Sequence, residues 1–141
     1  AVRDELPRAL LVHHPAEAVA GLVAVREPRR RVHLLERVGA QQLAERAQLA
    51  MTKRKERFLA MRFAAKEAIV KAMGTGFAHG VWIRDVGVVQ NAWGRPEVVY
   101  SPRGDAVRRA LGVGDGHVTL TDESGLIVAV AVLERAAGAG R

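Results

Sequence analysis

The sequence predicts an α+β fold in which an antiparallel sheet packs on one long central helix. Three observations predict it. First, the stretch from Phe58 to Met73 is apolar around much of its circumference, which suits a helix at the centre of a small domain. Second, short runs of strand character stand on either side of it, some uncharged and some alternating. Third, the elements follow one another as strand, helices, hairpin, helix, hairpin, an order that places helices against an antiparallel sheet.

Each element has its own signal. Residues Ala1 to Pro15 contain two prolines and little periodicity; a short helix around Leu6 to Val12, or an ordered arm, is expected, with residues 1–18 as an N-terminal arm. Val19 to Val25 (VAGLVAV) is an uncharged apolar run, read as a buried strand that Pro28 ends. Arg29 to Met51 reads as helical, and Gly39 divides the pattern, so one long helix and two shorter ones both fit. Thr52 is placed to cap the central helix, Glu56 lies in its first turns, and Gly74-Thr75-Gly76 ends it. Val81 to Gln90 alternates as a strand, Asn91 to Gly94 is a turn, and Arg95 to Tyr100 is the returning strand. Pro102 to Leu111 is a short helix with proline at its start and Gly112 at its end. His117 to Thr121 and Leu126 to Leu133 form a last hairpin around Asp122 to Gly125, and residues 136–141 are a frayed tail.

The 141 residues suit a single domain. Apolar residues make up 49% of the chain but aromatics only 4%, so the core must be built from Ala, Val and Leu. No cysteine is present, which excludes disulfides and thiolate metal sites. No apolar run is long enough to span a bilayer and no leader pattern is visible, so a cytoplasmic protein without a membrane partner is expected. Lys and Arg number 22 against 15 Asp and Glu, a formal charge of +7. That excess implies an anionic partner, and charge alone does not choose among nucleic acid, an acidic protein and a phosphate-rich small molecule. A nucleic-acid binder is disfavoured, because no set of stacking aromatics or recognised motif accompanies the charge.

The residues with chemical potential lie on the central helix. Arg62, Lys66 and Glu67 fall within little more than one turn, and Lys71 follows Glu67 by four residues. Positions four apart share a face, so Glu67 adjoins Lys71 and Arg62 adjoins Lys66. Two readings of this spacing stand side by side. In one, the cations hold phosphates while Glu67 holds a divalent metal such as Mg²⁺, which takes one or two carboxylates plus substrate phosphates. In the other, the set is one Glu–Lys pair with two solvated basic residues. The adjacent pair His13-His14 and the isolated His33, His79 and His117 are read as structural or solvent-facing. Trp82 and Trp93 are read as packing residues, with contact to an adenine as the alternative for Trp93.

The run RFAAKEAIVKAMG from Arg62 to Gly74 resembles the helix motif of holo-acyl-carrier-protein synthases, which are 4′-phosphopantetheinyl transferases. Asn91-Ala92-Trp93-Gly94-Arg95-Pro96 is similar to the turn motif of that family, and Val118 to Glu123 is similar to its last strand end. The resemblance covers Arg57 to Glu134. It implies the phosphopantetheinyl transferase fold and transfer of the 4′-phosphopantetheine of coenzyme A to a serine of an acidic acyl carrier protein, as in fatty acid biosynthesis. It implies Glu67 as Mg²⁺ ligand and catalytic residue with Lys71. Arg62, Lys66 and Lys71 become contacts to the phosphates of coenzyme A, and Gly74 the point where the cofactor nears the helix end. Gly94, Arg95 and Pro96 would cover the adenine or its phosphate. Thr121 and Asp122 would line the cofactor from a neighbouring subunit of a homotrimer.

The first strand departs from the family pattern. Val19 to Pro28 matches it in outline, but Gly21 stands where a metal-binding Asp is expected, and Glu27 where a carrier-docking Arg is expected. Arg26, Arg29 and Arg30 are the substitutes available for docking. The segment from Gly39 to Arg57 shows no obvious counterpart to the family's acidic helix start. Three readings follow: a working transferase with an altered site, a catalytically impaired homologue that binds coenzyme A or a carrier protein, or a first part of the chain that aligns with the family pattern in another register.

Overall fold

The computed structural model describes residues 10–13, 18–26 and 43–138, with side chains from residue 44 onward. Among them are strands β1 (Leu10–His13), β2 (Ala18–Arg26), β3 (Val86–Gln90), β4 (Pro96–Tyr100), β5 (Val113–Glu123) and β6 (Leu126–Arg135). The helices are α1 (Leu43–Met51), α2 (Lys55–Met73) and α3 (Pro102–Ala110), with a 3₁₀ turn at Ile83–Asp85. The strands form one antiparallel sheet in the order β1-β2-β6-β5-β4-β3. This is the α+β arrangement the sequence predicts.

Helix α2 lies across the sheet, chiefly over β6 and β2. Its composition explains both its stability and its fit. Alanine is the best helix former, and Ala60, Ala64, Ala65, Ala68 and Ala72 are all buried, alongside Leu59, Ile69 and Val70. The facing strand β6 contributes Ile127, Ala129, Ala131 and Leu133 to the same core, which β3 and β5 complete with Val86, Val88 and Val118. Small side chains on both surfaces let helix and sheet approach closely, as the shortage of aromatics requires. Gly74 closes the helix in the left-handed region at φ 83°, its N–H donating to Lys71 O, while Thr75 and Gly76 donate to Val70 O. Glycine reaches that region without steric cost.

Several boundaries differ from the expected ones. Leu10–His13 is a strand paired with β2, where a short helix was one expectation for Leu6 to Val12. Between Arg29 and Met51 only Leu43–Met51 falls within the described residues, and it is helical. Thr52 does not cap α2: its N–H donates to Leu49 O at the end of α1, and Arg54 takes the N-cap position without a side-chain bond. The strand expected from Val81 begins at Val86, because the Asp85 carboxylate accepts the Trp82 N–H at 2.8 Å and folds Ile83–Asp85 into a 3₁₀ turn. β5 begins earlier and ends later than expected. Asp122 and Glu123 belong to the strand, and the turn narrows to Ser124 and Gly125, at φ 50° and 78°. Two consecutive positive φ values are the requirement of a type I′ hairpin turn, whose twist matches that of the strands.

Candidate active site

The charged residues of α2 fall into two groups that face different surroundings. Lys66 is fully buried, and its ammonium lies 2.8 Å from Glu45 of α1, whose side chain is equally buried. The other Glu45 oxygen accepts the Val88 N–H of β3 at 2.8 Å, and Lys66 also donates to Ile83 O at 3.4 Å. Burial pulls the Lys66 pKa down and Glu45 opposes the shift. Arg62, one turn earlier, is 3% exposed. It donates to Gln48 of α1 at 3.3 Å and lies over the Phe58 ring at 4.3 Å, and its Nε is buried without a hydrogen-bond partner. Burial lowers its pKa as well, with Glu45 again opposing.

Glu67 and Lys71 form the second group. Both are partly exposed. Burial pushes the Glu67 carboxyl above its ordinary range, and the Lys71 charge pulls it back. The spacing thus places Glu67 beside Lys71 and Arg62 beside Lys66, but three cations do not gather around one carboxylate. Lys66 is committed to Glu45, a residue outside the motif and distant in sequence, and so is not available as a phosphate contact in this arrangement.

The turn after β3 is built by Asn91. Its Oδ1 accepts from Trp93 N at 2.9 Å and Arg95 N at 3.1 Å, and its backbone O accepts from Gly94 N at 2.9 Å, with Gly94 at φ 78°. The side chain of Asn91 holds the turn, so Trp93 is free to project and is 94% exposed; Trp82 is 58% exposed. Trp82 packs beneath the Arg84 and Arg103 guanidinium groups, at 5.2 and 5.3 Å from its ring, whereas Trp93 is not the packing residue expected. Gln48 connects this turn to the helix, accepting from both Arg62 and Gln90 N. Arg95 and Pro96 open onto a cleft of about 320 Å³ where β4 and β5 diverge, paired only at Glu97 and His117.

Thr121 is exposed. Asp122 accepts two hydrogen bonds from the Arg57 guanidinium, which hold its carboxyl below the usual range. That clasp fixes the end of β5 to the first turn of α2. Ten residues separate Arg57 from Glu67, about 15 Å along a helix at 1.5 Å per residue. Within one chain, Asp122 and Glu67 therefore stand at separate stations. Gly21 lies within β2, opposite Leu11 and Ala131, in a strand over which α2 packs. Arg26 is the last residue of β2; Glu27, Arg29 and Arg30 lie outside the described residues. Among the described residues, no three His, Asp or Glu side chains gather as a metal cage.

Sequence reasoning missed Glu45, Gln48 and Arg57. Glu45 sits in the first turn of α1, so it is an acidic helix start of the kind not recognised in the sequence. The available signal was the Glu45–Gln48 spacing of three on a short, otherwise largely apolar helix, which puts both on one face.

A family model for the 4′-phosphopantetheinyl transferase superfamily matches residues 23–130. The holo-[acyl-carrier-protein] synthase of Thiobacillus denitrificans is 44% identical over 80 residues, which is 57% of this chain and 61% of that protein. That of Vibrio parahaemolyticus is 39% identical over 90 residues, 64% of this chain and 71% of that protein. The chain thus spans less than two thirds of the first of these relatives. Among solved structures, the holo-[acyl-carrier-protein] synthase from Neisseria meningitidis superposes with a TM-score of 0.72 at 29% identity, covering 82% of this chain and 97% of that one. The Bacillus anthracis synthase in complex with CoA (3′,5′-ADP) superposes with a TM-score of 0.68 at 28% identity, covering 86% of this chain and 100% of that one.

Proposed function

Because the chain belongs to the 4′-phosphopantetheinyl transferase superfamily, we propose that it moves the 4′-phosphopantetheine arm of coenzyme A onto a serine of an acyl carrier protein. The serine oxygen forms a bond to the phosphorus next to the pantetheine and gives its proton to a water that the Glu67 carboxylate would orient. The bond from that phosphorus to the bridging oxygen breaks, and adenosine 3′,5′-bisphosphate leaves with the electron pair. The protein's task in such a transfer is to position two partners and offset charge.

The observation that carries this reading is the partly exposed Glu67–Lys71 pair on α2, two turns before the helix ends at Gly74. Mg²⁺ accepts one carboxylate with substrate phosphates completing its oxygen shell, and Glu67 fits that part; the ion would neutralise charge on the pyrophosphate. Lys71 pairs with the phosphates, and Gly74, which has open space around its Cα, lets them approach the helix end. Arg62, 3% exposed and bonded to Gln48, braces the side linked through Gln48 to the Asn91–Pro96 turn, with Gly94, Arg95 and Pro96 around the base or its phosphate. Thr121 and Asp122 reach the cofactor of a neighbouring subunit in a homotrimer, consistent with their distance from Glu67 within one chain. The +7 charge favours an acidic carrier, with Arg26, Arg29 and Arg30 as its docking cations, and the reaction belongs to the cytoplasm.

One observation favours a second reading. Gly21, in β2 beneath the helix, offers no carboxylate where the family pattern has one, so a chain that binds coenzyme A or carrier without efficient transfer also fits. One assay decides. The protein is incubated with coenzyme A, Mg²⁺ and an apo carrier protein, and the carrier is weighed. A gain equal to one phosphopantetheine, lost in Glu67→Gln and raised in Gly21→Asp, supports the transferase. No gain across Mg²⁺ concentrations and carriers supports the binding module.

A further inference from the structure

Glu67 must point in one direction to act, so the rotation of α2 about its axis matters. The helix buries Leu59, Ile69 and Val70 among Ala60, Ala64, Ala65, Ala68 and Ala72, against Ile127, Ala129, Ala131 and Leu133. The alanines of both surfaces form shallow ridges and grooves, which resist rotation of a helix about its axis less than interdigitated large side chains do. Polar contacts add direction along the helix: Arg57 to Asp122 at its start, Arg62 to Gln48, and, nearest Glu67, the contacts of the residue just before it. Lys66 is bound at once to Glu45 of α1 and to Ile83 O beside the 3₁₀ turn, and Glu45 is bound in turn to the backbone of β3.

We propose that the buried Glu45–Lys66 pair is a positioning device that sets the rotation of α2 and hence the aim of Glu67 and Lys71, so that Glu45 and Lys66 are positioning residues for transfer. This rests on the reading that Glu67 and Lys71 form the reacting face. Stability alone does not require the pair, since a buried ion pair can often be replaced by apolar residues at no cost. Geometry does require an anchor. Side-chain tips stand about 5–6 Å from a helix axis, so a rotation of about 20° carries the Glu67 carboxylate roughly 2 Å. A displacement of about 1 Å at a reacting centre can cost about 10²-fold in rate.

The test is the double variant Glu45→Gln with Lys66→Met. The amide introduced by Glu45→Gln keeps an acceptor for the Val88 N–H, and Arg62, which loses the opposing charge of Glu45, keeps its bond to Gln48; Lys66→Met alone, which leaves Glu45 opposite Arg62, is the companion variant should the double one fail to fold. Thermal unfolding verifies the fold, steady-state kinetics separate kcat from KM for coenzyme A, and a crystal structure reports the rotation of α2. The expected result is a kcat lowered about 10- to 100-fold, a KM changed by less than about threefold, and an α2 that is rotated or present in more than one orientation. A merely structural pair would lower the unfolding temperature and leave kcat of the folded fraction intact. A folded double variant with unchanged kcat, or with α2 superposing on the parent, overturns the proposal. If the parent chain transfers nothing to any carrier, the transferase reading falls, and the orientation of α2 in the double variant still decides this one.

Discussion

Asp85→Ala tests how the loop after α2 is held. Asp85 is buried, its side chain 4% exposed. It accepts from Trp82 N at 2.8 Å, Ser101 Oγ at 2.7 Å, and Arg103 Nε and Nη2 at 3.0 and 2.6 Å. Its backbone O accepts Ser101 N at 2.9 Å. One residue thus ties the 3₁₀ turn to the start of α3. A hydrogen bond to a charged group is worth about 1.5–3 kcal/mol. The Arg103 side chain is 44% exposed, so its ion pair contributes about 0–1 kcal/mol after solvent screening. With the Trp82 and Ser101 bonds lost together and not strictly additive, the expected loss is about 3 kcal/mol. For a domain of this length that lowers the midpoint by about 10 °C.

The effect carries a pH signature. Burial pushes the Asp85 carboxyl up, but the bonds from Arg103, Ser101 and Trp82 outweigh it and the native pKa is lowered. A group whose native pKa lies below its unfolded value, about 3.9 for Asp, contributes stability that is fully present above the unfolded pKa. That stability is lost as pH falls through the native value. The gap between parent and variant should therefore be widest near neutral pH and shrink below about pH 4. Calorimetry or circular dichroism at pH 7, 5 and 3 measures it. A midpoint within about 1 °C of the parent at pH 7, or a gap that does not shrink in acid, refutes the reasoning.

Other expectations concern single positions. Tyr100 is the one tyrosine of the chain, and burial raises its pKa to about 12, with Arg108 opposing and Asp105 and Asp115 adding to the shift; its ultraviolet titration should show only about a tenth ionised at pH 11 while circular dichroism reports a folded chain. Ser124 holds φ 50° in the β5–β6 turn, so Ser124→Gly should relieve left-handed strain and raise stability by about 0.5–1 kcal/mol in a denaturant titration; a loss would show that the turn does not depend on that conformation. Gly104 faces Asp85 so closely that an added Cβ would lie 2.3 Å from its carbonyl oxygen, and Gly104→Ala should destabilise by about 2 kcal/mol or more, read by the same titration.

The central helix was legible because its signals are local: an apolar circumference, a glycine end and a motif within one segment. β2 was legible for the same reason, from Val19 to Val25. What escaped was decided at a distance. Thr52 has the composition of a cap but serves the end of α1. The alternation from Val81 suggested a strand, and the Asp85 carboxylate bent its first part into a 3₁₀ turn. In the candidate site, the adjacency of Glu67 and Lys71 followed from spacing alone. The burial of Lys66 did not, because its partner Glu45 lies 21 residues earlier, on another helix. Asp122 could be placed at the end of β5, but its clasp with Arg57, 65 residues away, has no local signal.

The two acceptors that α1 sends toward β3 have a consequence for how the protein behaves among its own copies. Among the described residues β3 is the last strand of the sheet, and a bare margin strand offers unpaired N–H and C=O groups to any passing chain. Here Glu45 accepts from Val88 N, while Gln48 both accepts from Gln90 N and donates to Gln90 O. A helix laid along that margin supplies by side chains what a seventh strand would supply by backbone. Side chains of α1 in this way keep the β3 margin from extending the sheet into a neighbour's.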